Sequence, residues 1–504
     1  YYFPGTHYIG HDGQEHSWPF NDQGKDLSLY GNNDFGSYKS YHVLGYFTDW
    51  FGGIYERDNF GFGHWTPYRD KPGKKIWIWG LSRQGMIWED LLTDPEMGGR
   101  QYTEIQSGVL FNQAGNNSSN TPFKHAFFQS GQFYKCREIW FPVVGLSSMA
   151  TANEKGALEV SHDGEVLNIA LCPLERLQEN VTVLSGGKEV YQTNITVNPL
   201  QVWRDSLKTD SDYKIILGSG QLQYTSEQTK LQHPLQTSSA FDWNTPYALF
   251  LAGEELARQR FPEKALDKYR AALEKDPCLL PALTSAAEIY LQHLQDEKAL
   301  ELVKRALSID TYDVKANYLW GFVSKFLGKK EDACSGFSLA AKTSLYGAAA
   351  NLELARLALE DSQYEKAILY AEDSRQYNGG WTEPLLCRAV ALRRLGRRGE
   401  AEEILSAILN KEPLNHQARF ESYLLEPSQD VIMAIRDYIY NEFPAQTFLE
   451  GAAWYLNINN PEEALVLLEL APQQPLVLYW QSYLSSLLGK EKISQCLLNK
   501  ALES

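Results

Sequence analysis

Small apolar residues recur at regular intervals in the C-terminal half of the chain. Alanines lie 34 residues apart from Ala265 to Ala401, and another small residue lies twelve positions before each of them, from Gly253 to Ala389. Leu, Ala, Glu and Lys dominate the residues around these positions. A small residue at a fixed place in each unit is typical of two antiparallel helices whose backbones approach closely there. The pattern therefore predicts an array of helix pairs.

The length of the repeat identifies its class. A period of 34 residues with one helix pair per unit is the signature of tetratricopeptide repeats. The ladder slips after Ala401, because the next matching alanine, Ala464, follows after 63 residues rather than 68. We therefore expect one shortened or irregular unit at 416–446. Helices near 476–488 and 491–502 are expected to form a terminal cap with a polar end.

The N-terminal part of the chain has a different pattern, in which apolar and polar residues alternate over short runs. This alternation, interrupted by turn residues, is typical of an antiparallel β-sandwich. Residues 1–70 are interpreted as loop-rich because Gly, Asn, Asp and aromatic residues are interleaved there. Strands are predicted near 74–80, 101–111, 132–144, 157–161, 165–172, 180–185, 188–197 and 213–217.

These patterns divide the chain into two domains of different class. We predict a β domain over 1–220, a polar linker over 221–244 and an α-solenoid of tetratricopeptide repeats over 245–504. The fold class is therefore multidomain α+β. Helical arrays of this kind bind proteins or support neighbouring domains, so the chemistry is expected in the β domain. The solenoid is expected to pack against that domain or to pair subunits in a homo-oligomer.

Charge and cysteine content narrow the function. The formal net charge is −16, and no basic stripe indicates nucleic acid or an anionic membrane as a partner. The six cysteines include no C-x-x-C pair, which makes a disulfide framework unexpected. The chain opens on Tyr-Tyr-Phe-Pro-Gly without an initiator Met, so its start is interpreted as internal. Both the cytoplasm and the bacterial periplasm remain open as the compartment.

Glu104 and His64 are the candidate catalytic residues. Glu104 lies in the middle of a predicted strand, where a carboxylate is costly unless it is paired or faces a cleft. His64 follows Gly-Phe-Gly and can act as a general acid or base near neutral pH. The alternative interpretations are a surface glutamate on an edge strand and a loop histidine bonded to a backbone carbonyl.

Four further residues are candidates for substrate binding. Sugars place the C–H faces of their rings on aromatic side chains, while carboxylates and amides hold their hydroxyl groups. Tyr55, Glu56, Trp79 and Gln113 supply these types of group. The pair Trp77 and Trp79 shares one strand face, and such a pair is more often sandwich core than a sugar platform. A metal site formed by His7, His11 and His16 is not favoured because Gly and Pro interrupt the segment, so no metal and no cofactor are predicted.

Several motifs between residues 53 and 142 resemble a known domain family. That family is an uncharacterised bacterial one, typically followed by tetratricopeptide repeats and similar in fold to galactose mutarotase. The motifs are Gly53-Ile54-Tyr55-Glu56, His64, Pro72-Gly73-Lys74-Lys75-Ile76-Trp77-Ile78-Trp79-Gly80, Tyr102-Thr103-Glu104-Ile105-Gln106-Ser107-Gly108, Asn112-Gln113 and Trp140-Phe141-Pro142.

The resemblance implies a β-supersandwich, of which this chain holds the C-terminal part. In such proteins an N-terminal segment precedes the region that matches Tyr1, and it would supply further strands and site residues. Residues 1–240 are therefore expected to form an incomplete sandwich with an open sheet edge. Mutarotase-like folds pair a histidine with a carboxylate at the sugar, and His64 and Glu104 match those types. An acidic residue often stands three positions after the histidine in the family, whereas this chain has Pro67.

Three functional hypotheses follow. The leading one is a glycoside hydrolase that cleaves an oligosaccharide by carboxylate acid–base chemistry. The second is an aldose 1-epimerase acting on a monosaccharide with one Glu and one His. The third is a non-catalytic sugar-binding or scaffold protein that uses the repeats for protein contact. Two carboxylates across a pocket favour hydrolysis, and a single Glu facing a His favours epimerisation.

Overall fold

A computed structural model describes residues 1–33, 36–79, 82–92, 103–115, 118–127, 134–210 and 212–503. It divides into two compact units. The first unit comprises the described residues of 1–126 and 134–264, and the second comprises those of 265–503 together with Phe127. Within the described residues, no helix is long and apolar enough to cross a membrane.

The described part of the first unit is built mainly from antiparallel strands. They are β1 (His7–Ile9), β2 (Glu15–Ser17), β3 (Lys39–Leu44), β4 (Trp50–Tyr55), β5 (Phe60–Trp65), β6 (Gly73–Ile78), β7 (Thr103–Gly108), β8 (Ile139–Val144), β9 (Thr151–Asn153), β10 (Gly156–His162), β11 (Val166–Pro173), β12 (Leu177–Ser185), β13 (Lys188–Val197), β14 (Trp203–Lys208), β15 (Tyr213–Leu217) and β16 (Leu222–Thr225). A short helix, α1 (Met86–Leu92), lies between β6 and β7.

The described strands form four sheets whose orders are β2-β1-β3-β6-β7, β4-β5-β8, β14-β11-β10-β9 and β13-β12-β15-β16. Three apolar clusters join them in sequence. Tyr41 and Ile76 of the five-stranded sheet pack with Phe51 of β4. On the other face of the three-stranded sheet, Phe141 packs with Ala170 of β11. The two four-stranded sheets share a third core, so the sheets are stacked in four layers.

Most of residues 1–70 lie outside strands, as expected, but the segment also contains β1 to β5, which the sequence did not predict. The strands β4 and β5 were missed because they contain glycines, and Gly usually weakens a strand. Here glycine leaves room for neighbouring side chains: a Cβ on Gly52 would lie 2.6 Å from the Met149 sulfur, and one on Gly63 would lie 2.3 Å from the ring of Phe141, its partner on β8.

The remaining strand predictions are correct in place but differ in extent. The strand expected at 132–144 begins only at Ile139, and the one expected at 101–111 covers 103–108. The first two residues of both of these predicted strands lie outside the described part of the chain, as does Gly80 of the strand predicted at 74–80. Among the described strands, β7 has no neighbour on its outer side. The predicted missing N-terminal strands stay a prediction.

The segment 221–244 is not a free linker. Its first residues form β16, which pairs with β15. Further along, the Leu231 amide donates to the Gly45 carbonyl, and Leu235 packs in a small core with Ile9 and Phe123. The polar composition of this segment concealed these contacts, because backbone hydrogen bonds hold most of it.

The helical region consists of consecutive antiparallel pairs. They are α2 (Pro246–Arg258), α3 (Pro262–Lys275), α4 (Leu280–Gln292), α5 (Asp296–Ile309), α6 (Val314–Phe326), α7 (Lys330–Ala340), α8 (Gly347–Glu360), α9 (Tyr364–Tyr377), α10 (Glu383–Arg394), α11 (Arg398–Lys411), α12 (His416–Leu425), α13 (Gln429–Asp437), α14 (Pro444–Leu456), α15 (Pro461–Glu469), α16 (Pro475–Leu487) and α17 (Glu491–Glu503). The C-terminal region is thus a helical-repeat region, as the alanine ladder predicts.

The ladder alanines from Ala265 to Ala401 are all fully buried on the second helix of each pair. The first helix of each pair ends in a left-handed residue, also at 34-residue spacing. These residues are Arg260, Leu294, Gly328, Ser362 and Gly396, with φ between 55° and 76°. The amide that follows each one bonds back to the carbonyl five residues before it, which is the Schellman helix stop. Helices α12 and α13 are the shortened unit, with ten and nine residues.

The first helix of the array belongs to the N-terminal unit. Glu255 of α2 is fully buried and accepts hydrogen bonds from Ser118 (2.5 Å) and from the ring (2.6 Å) and backbone of His125. Burial alone would raise the pKa of Glu255, but these bonds and one from Gln259 outweigh it and lower the pKa. This carboxylate therefore fixes the loop 118–125 to α2, and the structural division falls inside α3 rather than at residue 245.

Replacement of Gly336 by Ala is expected to destabilise the repeats by about 1–3 kcal/mol through overpacking. The new Cβ would lie 2.6 Å from the Asn317 carbonyl oxygen and 2.7 Å from the Gly321 nitrogen, both in the backbone of α6. Gly399→Ala is the matched control, because nothing lies within 4 Å of its Cβ position and Ala is the better helix former by up to about 1 kcal/mol. Urea unfolding followed by circular dichroism measures both; equal effects would contradict the close approach of α6 and α7.

Replacement of Glu255 by Ala is expected to release the loop 118–125, because His125 and Ser118 lose a buried acceptor. Removal of one partner from a buried pair costs about 3 kcal/mol. We expect faster hydrogen–deuterium exchange in that loop and a lower unfolding midpoint of the N-terminal unit. Glu274→Ala, at an exposed position of α3, serves as the control. Unchanged exchange in the loop would show that other contacts hold it.

Candidate functional site

One face of the five-stranded sheet carries a group of polar and aromatic side chains. Lys75 of β6 pairs in register with His42 of β3 and with Gln106 of β7, and Trp77 pairs with Glu104. Residues two apart on a strand share a face, so these five side chains lie together. Ile76 and Ile78 point to the opposite face and into the core with β4. We call the face that bears Lys75 and Glu104 the outer face.

Aromatic rings gather at the end of the outer face. Tyr38 lies parallel to Trp77 with a ring separation of 4.4 Å, and Trp79 meets both rings edge-on at 5.7 and 5.8 Å. The His11 ring is 5.2 Å from Trp77 and 5.4 Å from His42. Tyr38 is 43% exposed, so the cluster presents aromatic surface to solvent. Such surface beside polar groups suits the C–H face of a sugar ring.

Lys75 occupies the centre of this group. Its ammonium donates a hydrogen bond to the side-chain oxygen of Gln113 and lies 4.6 Å from the centre of the Trp77 ring. The residue is only 5% exposed. Burial lowers the pKa of Lys75 to about 8, although the nearby Glu104 carboxylate opposes the shift. Among the described residues, no carboxylate lies within ion-pair distance of this ammonium.

His42 is held as a neutral imidazole. The Gln113 backbone N–H donates to Nε2 at 2.9 Å, so Nε2 must accept and Nδ1 must carry the proton. Nδ1–H then donates to the Ile9 carbonyl at 2.9 Å. Burial lowers the pKa of His42 to about 3. Burial also lowers the pKa of His11, and its buried Nε2 has no hydrogen-bond partner among the described residues.

Glu104 is the carboxylate of the outer face. It is half-buried and accepts a hydrogen bond of 2.6 Å from the Gln106 side chain. Because Gln106 is two residues away, both side chains stand on the same face of β7. Glu104 therefore combines partial exposure, an amide partner, the adjacent Lys75 and the opposite Trp77. Trp79 and Gln113, two of the predicted binding residues, lie in the same cluster.

His64 does not join Glu104. Its side chain is fully buried between the five-stranded and three-stranded sheets, where its ring stacks 4.3 Å from Phe51. Its Nε2 lies 3.2 Å from Glu138 and 3.5 Å from Ser107 Oγ. Ser107 is three residues after Glu104, so the strand alternation directs the two side chains to opposite faces of β7. The structure therefore does not bring His64 and Glu104, the two predicted catalytic residues, together at one site.

The groups around His64 form an ion-pair network. Glu138 accepts bonds from Lys71 (2.7 Å) and Ser107 (3.1 Å) as well as lying beside the histidine. Burial would raise the pKa of Glu138, but these bonds lower it to about 2. Burial lowers the pKa of His64 in spite of Glu138. This network links β7 to β8 and leaves no solvent access to the imidazole.

The remaining predicted residues lie elsewhere. Tyr55 and Glu56 are exposed at the turn between β4 and β5, in the three-stranded sheet. His7 and His16 are on β1 and β2, and His16 stacks on Tyr8 at 5.0 Å. No group of three or more potential metal ligands is found among the residues that the structure describes.

Two clefts in the first unit lie apart from the outer-face cluster. One, of about 300 Å³, is lined by Asp49, Trp65 and Tyr224 among others, and another, of about 250 Å³, lies beside Pro122 and Trp243. Neither is lined by Glu104, Lys75 or Trp77. The candidate site is thus an open face of a sheet and not one of these enclosed volumes.

Four residues of the cluster escaped sequence reasoning as candidates: Tyr38, His42, Lys75 and Gln106. A usable signal was present for Lys75. Two consecutive lysines stand in a strand whose next residues are Ile-Trp-Ile, and a buried lysine is costly unless it has a local role. Lys74 points to the other side, where it bonds to the Thr48 carbonyl and burial lowers its pKa to about 7. Neither Tyr38 nor His42 had such a signal.

Comparison with known proteins supports the division into two regions. A family described as a domain of unknown function (DUF5107) matches residues 1–143. No curated protein matches the chain. A tetratricopeptide repeat protein from Parabacteroides merdae ATCC 43184 is 14% identical over 51% of this chain and 92% of its own, with a TM-score of 0.35. Pseudomonas aeruginosa PilF is 19% identical over 43% and 96%, with a TM-score of 0.34.

A third similar structure is that of YrrB, described as a tetratricopeptide repeat protein with an unusual peptide-binding site. It is 16% identical over 39% of this chain and 93% of its own, with a TM-score of 0.30. The C-terminal region is a helical-repeat region of consecutive helix pairs. It follows an N-terminal region of antiparallel sheets.

The lowered pKa of Lys75 predicts a specific pH dependence of stability. Between pH 8 and the ordinary lysine pKa of 10.5, the unfolded chain holds this proton and the folded chain does not. The free energy of unfolding therefore gains a contribution that rises with pH in that window. Lys75→Met should lose the contribution, so the stability difference between wild type and variant should grow from pH 8 to 10.5. Lys188→Met, at an exposed position, should show a constant difference; the same constancy for Lys75→Met would refute the shift.

Proposed function

We propose that the N-terminal region is a carbohydrate-active domain of the galactose mutarotase-like class, and that its sugar site is the outer face of the five-stranded sheet. The observation that carries the proposal is the cross-strand pair of Glu104 and Trp77. It sets a half-buried carboxylate beside aromatic surface, where a sugar ring and its hydroxyl groups can be held together. The resemblance of the 53–113 motifs to mutarotase-like domains supports the same class.

The leading reaction is hydrolysis of an oligosaccharide. Tyr38 and Trp79 would support the ring, while the side-chain amides of Gln106 and Gln113 would bind hydroxyl groups. Glu104 would act as the general acid that protonates the glycosidic oxygen, or as the base that activates water. Hydrolysis of this kind generally needs a second group on the opposite side of the bond.

Aldose 1-epimerisation is the second candidate, and one observation favours it. The titratable groups described beside Lys75 are Glu104 and the histidines His42 and His11, rather than two carboxylates. In that reaction one group takes the proton of the C1 hydroxyl while the other protonates the ring oxygen. His11, with its free buried Nε2, would replace the predicted His64 as the partner of Glu104.

A non-catalytic protein that binds sugar on this face, with the repeats contacting a protein partner or a second copy, is the remaining alternative. It predicts binding without turnover. The aromatic cluster would then be a platform, and Glu104 would serve as a hydroxyl acceptor only.

The test compares wild type with Glu104→Gln and with Glu56→Gln as a matched control at the exposed β4–β5 turn. A panel of p-nitrophenyl glycosides and oligosaccharides measures hydrolysis, and NMR exchange between anomers measures epimerisation. We expect Glu104→Gln to lower kcat by at least about a hundredfold, the usual contribution of an acid–base group. Glu56→Gln should retain activity.

The outcomes separate the candidates. Cleavage that depends on Glu104 supports hydrolysis, and anomer exchange without cleavage supports epimerisation. Sugar binding without turnover, in wild type and in Glu104→Gln alike, favours the non-catalytic alternative. An activity that survives Glu104→Gln undiminished would remove this residue from the mechanism.

A further inference from the structure

Lys75 is a buried cation whose neighbours on the outer face are nearly all neutral. Its ammonium is met by the Gln113 amide oxygen and the Trp77 ring. The Glu104 carboxylate is close enough to affect its protonation, but it accepts its hydrogen bond from Gln106. A buried charge without an ionic partner is expensive for the folded protein. Burial of this ammonium lowers the stability of the folded protein, and a bound anion would offset that loss.

The histidines beside Lys75 do not compete for that anion. His42 donates its one proton to the Ile9 carbonyl and accepts from the Gln113 backbone, so its ring is fully engaged. Burial and the nearby Lys75 lower the pKa of His11 and so disfavour its charged form, although Asp12 opposes the shift. The lysine ammonium, with three donor positions, is therefore the principal cationic donor that the described outer face offers to a ligand.

We propose that this site selects an acidic sugar, a uronic acid residue, whose carboxylate pairs with the Lys75 ammonium while its ring lies on the aromatic cluster. This inference rests on the proposed sugar site and specifies its substrate class. A single carboxylate matches a single lysine. A phosphate or sulfate would call for several donors or an arginine fork, and the net charge of −16 disfavours highly charged ligands.

The overall negative charge does not oppose a monoanion in contact with Lys75. Charges farther away than about 8–10 Å are largely screened at physiological ionic strength, whereas a partly buried pair in contact is screened much less. At neutral pH, Lys75 is mainly protonated, because its pKa is about 8. A bound carboxylate would raise that pKa again, so binding should weaken as the pH rises above 8.

The test measures binding of two matched pairs of sugars by ligand-observed NMR titration at pH 7. Methyl glucuronide is compared with methyl glucoside, and methyl galacturonide with methyl galactoside. At least one uronide should bind wild type about tenfold more tightly than its neutral partner, the size of one charge-assisted hydrogen bond. Lys75→Met should abolish the preference and Lys75→Arg should keep part of it. Lys188→Met, at an exposed and distant position, should behave as wild type.

The possible results separate this inference from the function it rests on. Equal affinity for uronides and neutral sugars, or a preference that persists in Lys75→Met, overturns the acidic-sugar inference and leaves the sugar site intact. Failure of all four glycosides and of uronate oligosaccharides to bind overturns the proposed sugar site as well. Thermal unfolding at pH 7 establishes that Lys75→Met is folded, and Lys75→Arg supplies the second reading if it is not.

Discussion

The sheet formed by β4, β5 and β8 contributes side chains to a core on each of its two faces, and the arrangement of the N-terminal region depends on this. Phe51 packs into the core shared with the five-stranded sheet, and Phe141 packs into the core shared with β11. The five-stranded sheet must therefore give one face to that contact. Its other face is released from core packing over much of its area. Lys75, Trp77 and Glu104 lie together on that face. The residues that alternate with them along the strands, such as Ile76 and Ile105, point to the opposite face and pack in the core.

Because side chains alternate between the two faces of a strand, neighbouring residues make different contacts. Lys74 and Lys75 are consecutive, yet one bonds to the Thr48 carbonyl inside the layers and the other faces the aromatic cluster. Glu104 and Ser107 diverge in the same way, and this carries Ser107 to the His64–Glu138 network. Polar residues thus lie on both faces of the five-stranded sheet. The network around the buried His64 lies on one face, and the outer-face residues around Glu104 lie on the other. The outer face has the partial exposure that chemistry on a ligand requires.

Sequence reasoning succeeded where a period was long or a residue was costly. The alanine ladder located each helix pair, because packing of two backbones leaves no choice of side chain at Ala265 or Ala333. Glu104 was recognised because a carboxylate in a strand needs a reason. The sequence did not predict contacts that depend on the register between strands far apart in the chain. No local sequence feature indicates that Tyr38 stacks on Trp77 or that His42 lies beside Lys75. The same is true of the burial of His64 beside β8. The glycine-rich strands β4 and β5 were missed because the side chains that fill the space beside their glycines, such as Phe141 beside Gly63, come from distant parts of the chain.

The contact between Glu255 and the loop 118–125 bears on how such a protein can be divided or recombined. The repeat period begins, by sequence, before this helix, but the helix is already committed to holding a loop of the β region. A gene fusion that exchanged the whole repeat array at residue 245 would remove that acceptor from the loop 118–125. A joint that keeps this contact therefore lies after α2, one helix later than the repeat period suggests.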